Sequence, residues 1–416
     1  MRTKGGAAVT MPGTDLFAGL KVLDLAWVGV GPLTTKYLAD HGAVVVHVES
    51  SRRPDVLRTM PPFAGGVPGL NRSQFYAEYN SSKLGFGVDL GHPDGRALVR
   101  ELARWADVVV ESFTPHVLAR WELDYPHLAA DNPGLIMLST CLFGQTGPYR
   151  DVPGFGTSMA PICGFYHLTG YPDAAPVPPY GAYTDFVCHR FTAAALLAAL
   201  LHRAATGEGQ YIDAAQFEMA LQFLGPVLLD AAAHGRVAGR SGNKSPWAAP
   251  HDIYPCRDPD TWCAIAVETD AQWQALKTKM GRPAWAADPK WDTLEGRKRY
   301  EAELDGRLAE WTRGFTPDEL MHRLQPEVPA GAVRDIAGIF ADAQIRALGY
   351  FVDLEHPEMG RVPYTGVEFR FADRPVGLRW AAPTLGQHTY EVLHDILGKS
   401  DEVIADLLAR EVVEIT

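Results

Sequence analysis

The sequence predicts an α/β protein, with a Rossmann-like, doubly wound parallel sheet in a large domain and a smaller α+β domain. The 416 residues exceed the roughly 250–300 at which a single hydrophobic core stops growing, so two lobes are expected. The predicted strands Leu20–Val28 and Gly42–Glu49 are near-continuous apolar runs, typical of parallel strands covered on both faces. Strand and helix patterns then alternate as far as Ser139, which favours a doubly wound sheet.

The first two strands flank a helical run at Leu33–His41 and so form a βαβ unit. Two more strands are predicted at Asp107–Glu111 and Leu135–Ser139. The helices predicted to separate them are Gly91–Trp105 and Val117–Ala130. This order predicts that the amino-terminal part of the chain builds most of the sheet.

A change in composition marks the second domain. The segment Arg236–Pro250 is rich in Gly, Ser, Asn and Pro, as in a linker. A strand at Trp262–Val267 and several amphipathic helices follow, and the chain turns back near Val333. We therefore expect 1–225 to form the amino-terminal part of the large domain, 226–335 the linker and small domain, and 336–416 the chain return and carboxy-terminal part of the large domain.

The composition argues against several classes of protein. The formal net charge is −12, whereas a general nucleic-acid binder needs a basic face that releases counterions. The five cysteines show no CxxC pair and no histidine spacing suited to zinc, so we expect reduced thiols, no metal and a cytoplasmic location. No apolar run reaches about 18 residues, and residues 1–8 lack the apolar stretch of a secretory signal, so we expect no membrane partner.

The first βαβ unit also raises the alternative of a dinucleotide site. Glu49 lies 20 residues after Gly29, the distance at which an acid would hold a nicotinamide ribose. After Gly29 and Gly31, however, Thr34 replaces the third glycine and Pro32 occupies the tight turn. The glycine pattern therefore does not favour a dinucleotide cofactor.

An acid stands at the start of a long apolar helix. Asp185 follows the aromatic turn Pro178–Tyr183 and precedes Phe191–Leu201, eleven residues without a charge. One reading is a first-turn aspartate stabilised by the helix dipole, and the other is a catalytic nucleophile. Cys188 and His189 adjoin, but neighbours on a helix point in different directions, so they form no thiolate–imidazole pair by adjacency. Serine-elbow, phosphate-loop and zinc-helix motifs are absent from the sequence.

Basic residues cluster early in the chain. Arg52, Arg53 and Arg58 follow the second strand, and Lys83 ends the stretch Asn80–Lys83. Solvated loop charges are one interpretation. The other is ligand binding, because loops at the carboxyl ends of parallel strands form the binding edge of open α/β sheets. In an acidic protein such a cluster suits a phosphorylated ligand.

Many short motifs, in the same order, resemble the family III CoA-transferases, the group that includes formyl-CoA transferase and carnitine CoA-transferase. The resemblance runs nearly end to end. The matching stretches include Leu20–Leu25 with Gly31 and Pro32, Asp55 with Arg58, Asn80–Lys83, Val110–Phe113, Phe143–Tyr149, Tyr183–Asp185, Thr206–Asp213 and Gly386–Thr389.

The resemblance implies an enzyme that moves CoA from an acyl-CoA donor to a carboxylic acid through an aspartyl-CoA thioester at Asp185. It implies no permanently bound cofactor, because one thioester replaces another and CoA is part of the substrates. It also implies an interlocked homodimer. The coenzyme-binding residues that it implies, directly or by proximity, are Gly31, Arg52, Arg53, Arg58, Lys83, Phe113 and Arg120.

Two departures from formyl-CoA transferase concern the acyl pocket. Phe155–Gly156 stands where that enzyme has a Tyr-Glu pair, and Ser245–Trp247 replaces a glycine-rich loop. We expect Phe155, Tyr183 and Trp247 to line the pocket. Oxalate and formyl-CoA are then poor substrates, and an apolar or bulkier acyl group is favoured.

Two alternatives remain within this resemblance. An α-methylacyl-CoA racemase also keeps an acid at the position of Asp185, but its partner histidine corresponds here to Phe155. Phenylalanine cannot take a proton, and a two-base racemisation needs two titrating groups. The second alternative is a non-catalytic CoA-binding protein of the same fold, in which Asp185 would not be labelled during turnover.

Overall fold

The computed structural model describes residues 16–415, so the expectation about a secretory signal concerns residues outside this range. The chain forms two compact units. The first contains the described residues up to Cys163, Tyr180–His234 and those from Ala347 onward, and the second contains Gly164–Pro179 and Gly235–Arg346. The division at 225 and 335 stays a prediction.

The helices and strands are distributed along the whole described chain. The strands are β1 Lys21–Leu25, β2 Val44–Glu49, β3 Leu84–Val88, β4 Val108–Glu111, β5 Ile136–Cys141, β6 Gln210–Ala215, β7 His251–Pro255, β8 Trp262–Ala266, β9 Ala330–Ala332, β10 Phe351–His356, β11 Gly360–Thr365 and β12 Val413–Glu414. The α-helices are α1 Val30–Asp40, α2 Gln74–Asn80, α3 Pro93–Trp105, α4 Val117–Arg120, α5 Tyr125–Asp131, α6 Gly156–Ile162, α7 Phe165–Leu168, α8 Tyr183–Thr206, α9 Gln216–Leu221, α10 Gly225–His234, α11 Asp270–Lys279, α12 Leu294–Arg299, α13 Glu301–Thr312, α14 Pro317–Leu324, α15 Ile336–Ala341, α16 Ala343–Ala347, α17 Thr389–Glu391 and α18 Asp401–Ala409. Short 3₁₀ segments lie at Val56–Thr59, Ala64–Gly66, Gln222–Leu224, Ala284–Ala287 and Pro289–Trp291, and a π-helical turn lies at Val392–Ile396.

The first unit is built on a sheet with the strand order β12-β3-β2-β1-β4-β5-β6. Strands β1 to β6 pair in parallel, and β12 pairs antiparallel with β3 at one edge. The prediction of a mixed α/β fold around a parallel sheet is confirmed. The strand order reverses between β1 and β4, and such a switch point opens a crevice at the carboxyl ends of these two strands.

Two sequence-based predictions of elements need correction. Strand β3 was not predicted, because two of its five residues, Gly85 and Gly87, are poor strand formers. Both are needed, since a Cβ at Gly85 would lie 2.9 Å from Pro383 and a Cβ at Gly87 would lie 2.7 Å from the carbonyl oxygen of Glu414. The helix predicted at Val117–Ala130 is two helices, α4 and α5, separated by a turn.

Buried charges interrupt the apolar pattern of β1 and β2. The Oδ2 atom of Asp24 accepts hydrogen bonds from Lys83 Nζ at 2.9 Å, His47 Nδ1 at 3.0 Å and Thr35 Oγ1 at 2.7 Å. Burial would raise the pKa of Asp24, but Lys83 and His47 hold it below its usual value. Burial would lower the pKa of His47, but Asp24 and then Glu49 raise it to about 9. The cluster ties β1, β2 and α1 together beneath the switch point.

Helix α8 confirms the long apolar helix that the sequence predicts. It packs against α1, where the Oγ1 atoms of Thr34 and Thr192 lie 2.6 Å apart, and it ends at Gly207, whose φ is 80°. By length and composition alone, this helix could cross a membrane. Core helices share these properties, and several residues of α8, such as Cys188 and Leu196, are fully buried here.

The second unit has its own core. Strands β7, β8 and β9 form an antiparallel sheet. The fully buried Trp273 and almost fully buried Trp291 pack with leucines of α13 and α14. These two tryptophans are core residues.

Candidate functional site

A cavity of about 540 Å³ lies at the carboxyl ends of β1, β4 and β5, at the switch point of the sheet. This is the place where open α/β sheets bind ligands. Its lining consists of Leu25, Trp27, Val28, Gly29, Val30, Gly31, Ser112, Phe113, Thr114, Pro115, Thr140, Cys141, Leu142, Arg150, Val152, Pro153, Gly154, Phe155, Asp185 and Gln216.

Asp185 lies in the first turn of α8 and faces this cavity, although its surface is only 7% exposed. Its Oδ2 atom accepts a hydrogen bond from the backbone N–H of Gly156 at 3.1 Å, and its Oδ1 atom accepts one from Nε2 of Gln216. Burial raises the pKa of Asp185, and the hydrogen bonds from Gln216 and Gly156 oppose this rise. The carboxylate is therefore oriented by two donors without a cation beside it, an arrangement that suits a nucleophile.

Two glycines allow the backbone to approach this carboxylate. A Cβ atom added at Gly29 or at Gly156 would lie 2.6 Å from Cγ of Asp185. Real Cβ atoms do not approach other atoms so closely. Any side chain at either position would therefore displace Asp185 or its loop. Gly156, which stands where formyl-CoA transferase has a Glu, thus leaves room for the Asp185 carboxylate.

Sequence reasoning missed Gln216 and Arg150. Gln216 is the first residue of α9, directly after β6, and its place just after the matching stretch Thr206–Asp213 was a signal for it. Arg150 directly follows the matched stretch Phe143–Tyr149. Among the described residues that line the cavity, Arg150 is the only cationic side chain and Asp185 the only carboxylate.

Three of the predicted site residues join Asp185 at the cavity: Gly31, Phe113 and Phe155. Phe113 packs between Trp27 and Trp121, with ring centroids 5.8 and 5.7 Å away. Gly31 has no room for a side chain, since its Cβ would lie 2.2 Å from that of Ala26.

The remaining predicted residues do not line this cavity. Tyr183 begins α8, two residues before Asp185, and Trp247 lies in the second unit with 77% of its surface exposed. Arg52, Arg53 and Arg120 are exposed. Their roles in binding the acyl group or the coenzyme stay predictions.

Lys83 and Arg58 are buried rather than presented to solvent. Besides Asp24, Lys83 Nζ donates to the backbone oxygen of Pro32 at 2.9 Å and to Oδ1 of Asn80 at 2.8 Å. Burial lowers the pKa of Lys83 although Asp24 opposes this.

Arg58 donates from Nε and Nη2 to the two carboxylate oxygens of Glu49, at 2.7 and 2.8 Å, and stacks on the ring of Tyr76 at 3.6 Å. A planar guanidinium paired in this way is well suited to a buried ion pair. For Arg58, as for Lys83, coenzyme binding stays a prediction that this geometry does not favour, because the donors already have protein acceptors.

The fold and the site define an α/β enzyme with a buried, oriented carboxylate at the switch point of a parallel sheet. Residues 17–389 match the model of CoA-transferase family III. The chain belongs to that family and is a CoA-transferase.

Several relatives cover nearly the whole chain. A succinyl-CoA–D-citramalate CoA-transferase of Chloroflexus aurantiacus is 33% identical over 95% of this chain and 97% of its own. A succinate–glutarate CoA-transferase of Agrobacterium fabrum is 34% identical over 91% and 95%. The crystal structure of a CAIB/BAIF family protein from Brucella suis is 32% identical, covers 92% of this chain and 100% of its own, and superposes with a TM-score of 0.84.

The contrast between Arg58 and Arg52 yields a prediction about stability. Arg58→Ala should lower the free energy of unfolding by about 3–5 kcal/mol, because it removes the guanidinium that pairs with both oxygens of the buried Glu49 carboxylate. Arg52→Ala, the matched control, removes an exposed pair with Glu411 and should cost at most about 1 kcal/mol. Unfolding in guanidinium chloride measures both. A normally stable Arg58→Ala protein with weakened affinity for CoA thioesters would instead support coenzyme binding by Arg58.

Proposed function

We propose that this enzyme transfers CoA between an acyl-CoA donor and a carboxylic acid through covalent intermediates at Asp185. An Oδ atom of Asp185 attacks the thioester carbonyl carbon, and CoA leaves as its thiolate, which produces a mixed anhydride. The thiolate then attacks Cγ of Asp185 and releases the donor acid, which carries away the attacking oxygen. An aspartyl-CoA thioester remains.

The second half of the reaction reverses these steps. A carboxylate oxygen of the acceptor acid attacks Cγ of Asp185 and expels the CoA thiolate, so a second mixed anhydride forms. The thiolate then attacks the acceptor's carbonyl carbon, which produces the new acyl-CoA and restores the Asp185 carboxylate. Each step exchanges one acyl bond for another and requires no oxidant, reductant or net proton.

The single observation that carries the proposal is the placement of Asp185 in the cavity. Gln216 and the Gly156 N–H orient the carboxylate, and its low exposure limits the access of water, which would hydrolyse an anhydride. Other nucleophiles are less suitable. Burial raises the pKa of the Cys141 thiol to about 11, so that this lining residue stays protonated at neutral pH.

The two alternatives find less support. Racemisation needs a second base opposite Asp185, and among the described lining residues the other titratable side chains are Cys141 and Arg150. Phe155, at the position of the racemase histidine, lines the same cavity. A non-catalytic CoA-binding role leaves unexplained why the cavity holds a buried carboxylate oriented by two donors.

The proposed substrates are thioesters of short dicarboxylic acids, with a carboxylic acid as acceptor. The relatives named above act on succinyl-CoA, succinate, citramalate or glutarate by their names. Arg150 supplies a matching cation at the cavity, because its guanidinium is partly exposed and has only a loose, 3.4 Å contact with the exposed Asp151 among the described residues. The apolar acyl group expected from Phe155 and Trp247 stays a competing prediction.

A cytoplasmic homodimer of interlocked chains is part of the same proposal. It rests on the family resemblance and on the path of the chain, which leaves the first unit after His234 and returns at Ala347. Sedimentation equilibrium at nanomolar protein should give twice the chain mass of 45.5 kDa. An active species of single-chain mass would contradict it.

Replacement of the nucleophile should stop the reaction. Asp185→Ala, and to nearly the same extent Asp185→Asn, should lower kcat by several orders of magnitude, because the attacking oxygen or its charge is lost. Incubation of the native enzyme with donor acyl-CoA and no acceptor, followed by hydroxylamine, should leave a hydroxamate at Asp185 that peptide mass spectrometry can locate.

Asp213→Asn is the matched control, because this exposed carboxylate on β6 is outside the cavity lining and binds the N–H of Gln145. It should retain turnover and labelling. A hydroxamate on another residue, or normal turnover by Asp185→Ala, would overturn the mechanism.

The assignment of Arg150 predicts a change in selectivity. Arg150→Ala should lower kcat/KM for succinyl-CoA roughly ten- to a hundredfold, because a charge-assisted contact is worth about 1.5–3 kcal/mol. Butyryl-CoA, of equal chain length without the second carboxylate, provides the control and should be affected little. Steady-state kinetics with both donors tests this.

The same assay on the wild-type enzyme tests the competing prediction of an apolar acyl group. A preference for butyryl-CoA over succinyl-CoA, or an equal loss for both donors in Arg150→Ala, would contradict the dicarboxylate proposal. It would then favour an apolar acyl group.

A further inference from the structure

The loop between β1 and α1 contains a strained residue next to the nucleophile. Val28 has a φ of 69°, in the left-handed region that β-branched residues rarely adopt. Such conformations persist only where the surrounding structure imposes them, and they cluster at active sites. The next residue, Gly29, lies so close to Asp185 that it has no room for a side chain.

The buried carboxylate of Asp55 contacts the backbone of this strained residue. Its Oδ2 atom accepts the backbone N–H of Val28 at 3.0 Å, and its Oδ1 atom accepts the N–H of Leu57 at 2.9 Å. Its own backbone N–H donates to Glu49 at 3.3 Å. Asp55 is fully buried and is not among the residues that line the cavity. It can therefore act on the substrate only through the loop.

The loop is also fixed on the amino-terminal side of this contact. The N–H of Trp27 donates to Oγ of Ser112 at 2.9 Å, and the indole of Trp27 donates to the backbone oxygen of Val48 at 3.1 Å. Because these contacts hold Trp27 in place, Val28 is the residue at which the chain turns towards Asp185. A shift of one ångström at a reacting group can cost about a hundredfold in rate, so the conformation of Val28 matters for the chemistry.

We infer that Asp55 is a positioning residue of this active site: its carboxylate holds Val28 in the left-handed conformation that places Gly29 against Asp185. Without this acceptor, Val28 relaxes to negative φ and Gly29 moves with it. The carboxylate of Asp185 then loses the contact with Gly29 that fixes its position. The inference rests on the proposed role of Asp185 as nucleophile.

A double-mutant cycle separates this role from a general structural one. Asp55→Ala should lower the rate constant for formation of the Asp185 adduct in a single turnover by roughly ten- to a hundredfold. Glycine adopts positive φ without strain. In a Val28→Gly background, the same Asp55→Ala change should therefore cost less than about threefold, whatever the activity of the Val28→Gly variant itself. Circular dichroism and CoA-thioester affinity of each variant accompany the rates.

Asp288→Ala is the matched control, since Asp288 also accepts the N–H two residues ahead, at 2.9 Å from Lys290 N, and lies in the second unit. It should not change the rate. Should Asp55→Ala fail to fold, Asp55→Asn serves instead, because its single carbonyl oxygen keeps one of the two hydrogen bonds. The rate constant for adduct formation should then fall by a smaller factor. That factor should again be larger in the wild-type background than in the Val28→Gly background.

Equal losses in the wild-type and Val28→Gly backgrounds, or full activity of both Asp55 variants, would overturn the inference. Labelling of the native enzyme with donor acyl-CoA distinguishes a failure of this inference from a failure of the proposed mechanism. If Asp185 is labelled and the cycle shows no coupling, only the role of Asp55 fails. If another residue is labelled, the proposed mechanism itself fails.

Discussion

This site depends on one constraint: the backbone must approach a buried carboxylate closely. Asp185 is nearly enclosed, and Gly29 and Gly156 lie so close to it that neither position has room for a Cβ. Burial opposes ionisation of the carboxylate, and the donors Gln216 and Gly156 oppose that effect. The net effect is a raised pKa of Asp185. The described hydrogen-bond partners of the carboxylate are neutral, so it is not held in an ion pair.

Several buried charges that do not line the cavity are paired with one another. Beneath the switch point, Asp24 binds Lys83 and His47, and Glu49 binds Arg58. Buried pairs of this kind contribute little net stability relative to apolar residues, but removing one partner is costly. Their effect is to fix the strands and the loops that leave them. The cations of the early basic cluster are thus divided between the buried Lys83 and Arg58 and the exposed Arg52 and Arg53.

Much of the first unit was predictable because parallel strands and covering helices impose local patterns. Strands β1, β2, β4 and β5, helix α8 and the first-turn position of Asp185 follow from apolar runs, helix-ending residues and motif order. Strand β3 was missed, because its glycines are required by contacts with Pro383 and Glu414, about 300 residues later in the chain. The local sequence there carries no signal of that contact.

The sequence by itself determined the class of fold, the family resemblance and the place of Asp185 at the start of a long helix, since these depend on periodicity and on motifs that are continuous in the chain. Only the tertiary structure decided which residues surround that aspartate. Gln216, Gly29 and Gly156 come from three separate segments, and their role is a matter of distances of a few ångströms. It also decided that Lys83 is buried and Arg150 is at the cavity, because whether a cation meets solvent depends on which acceptors the fold brings to it.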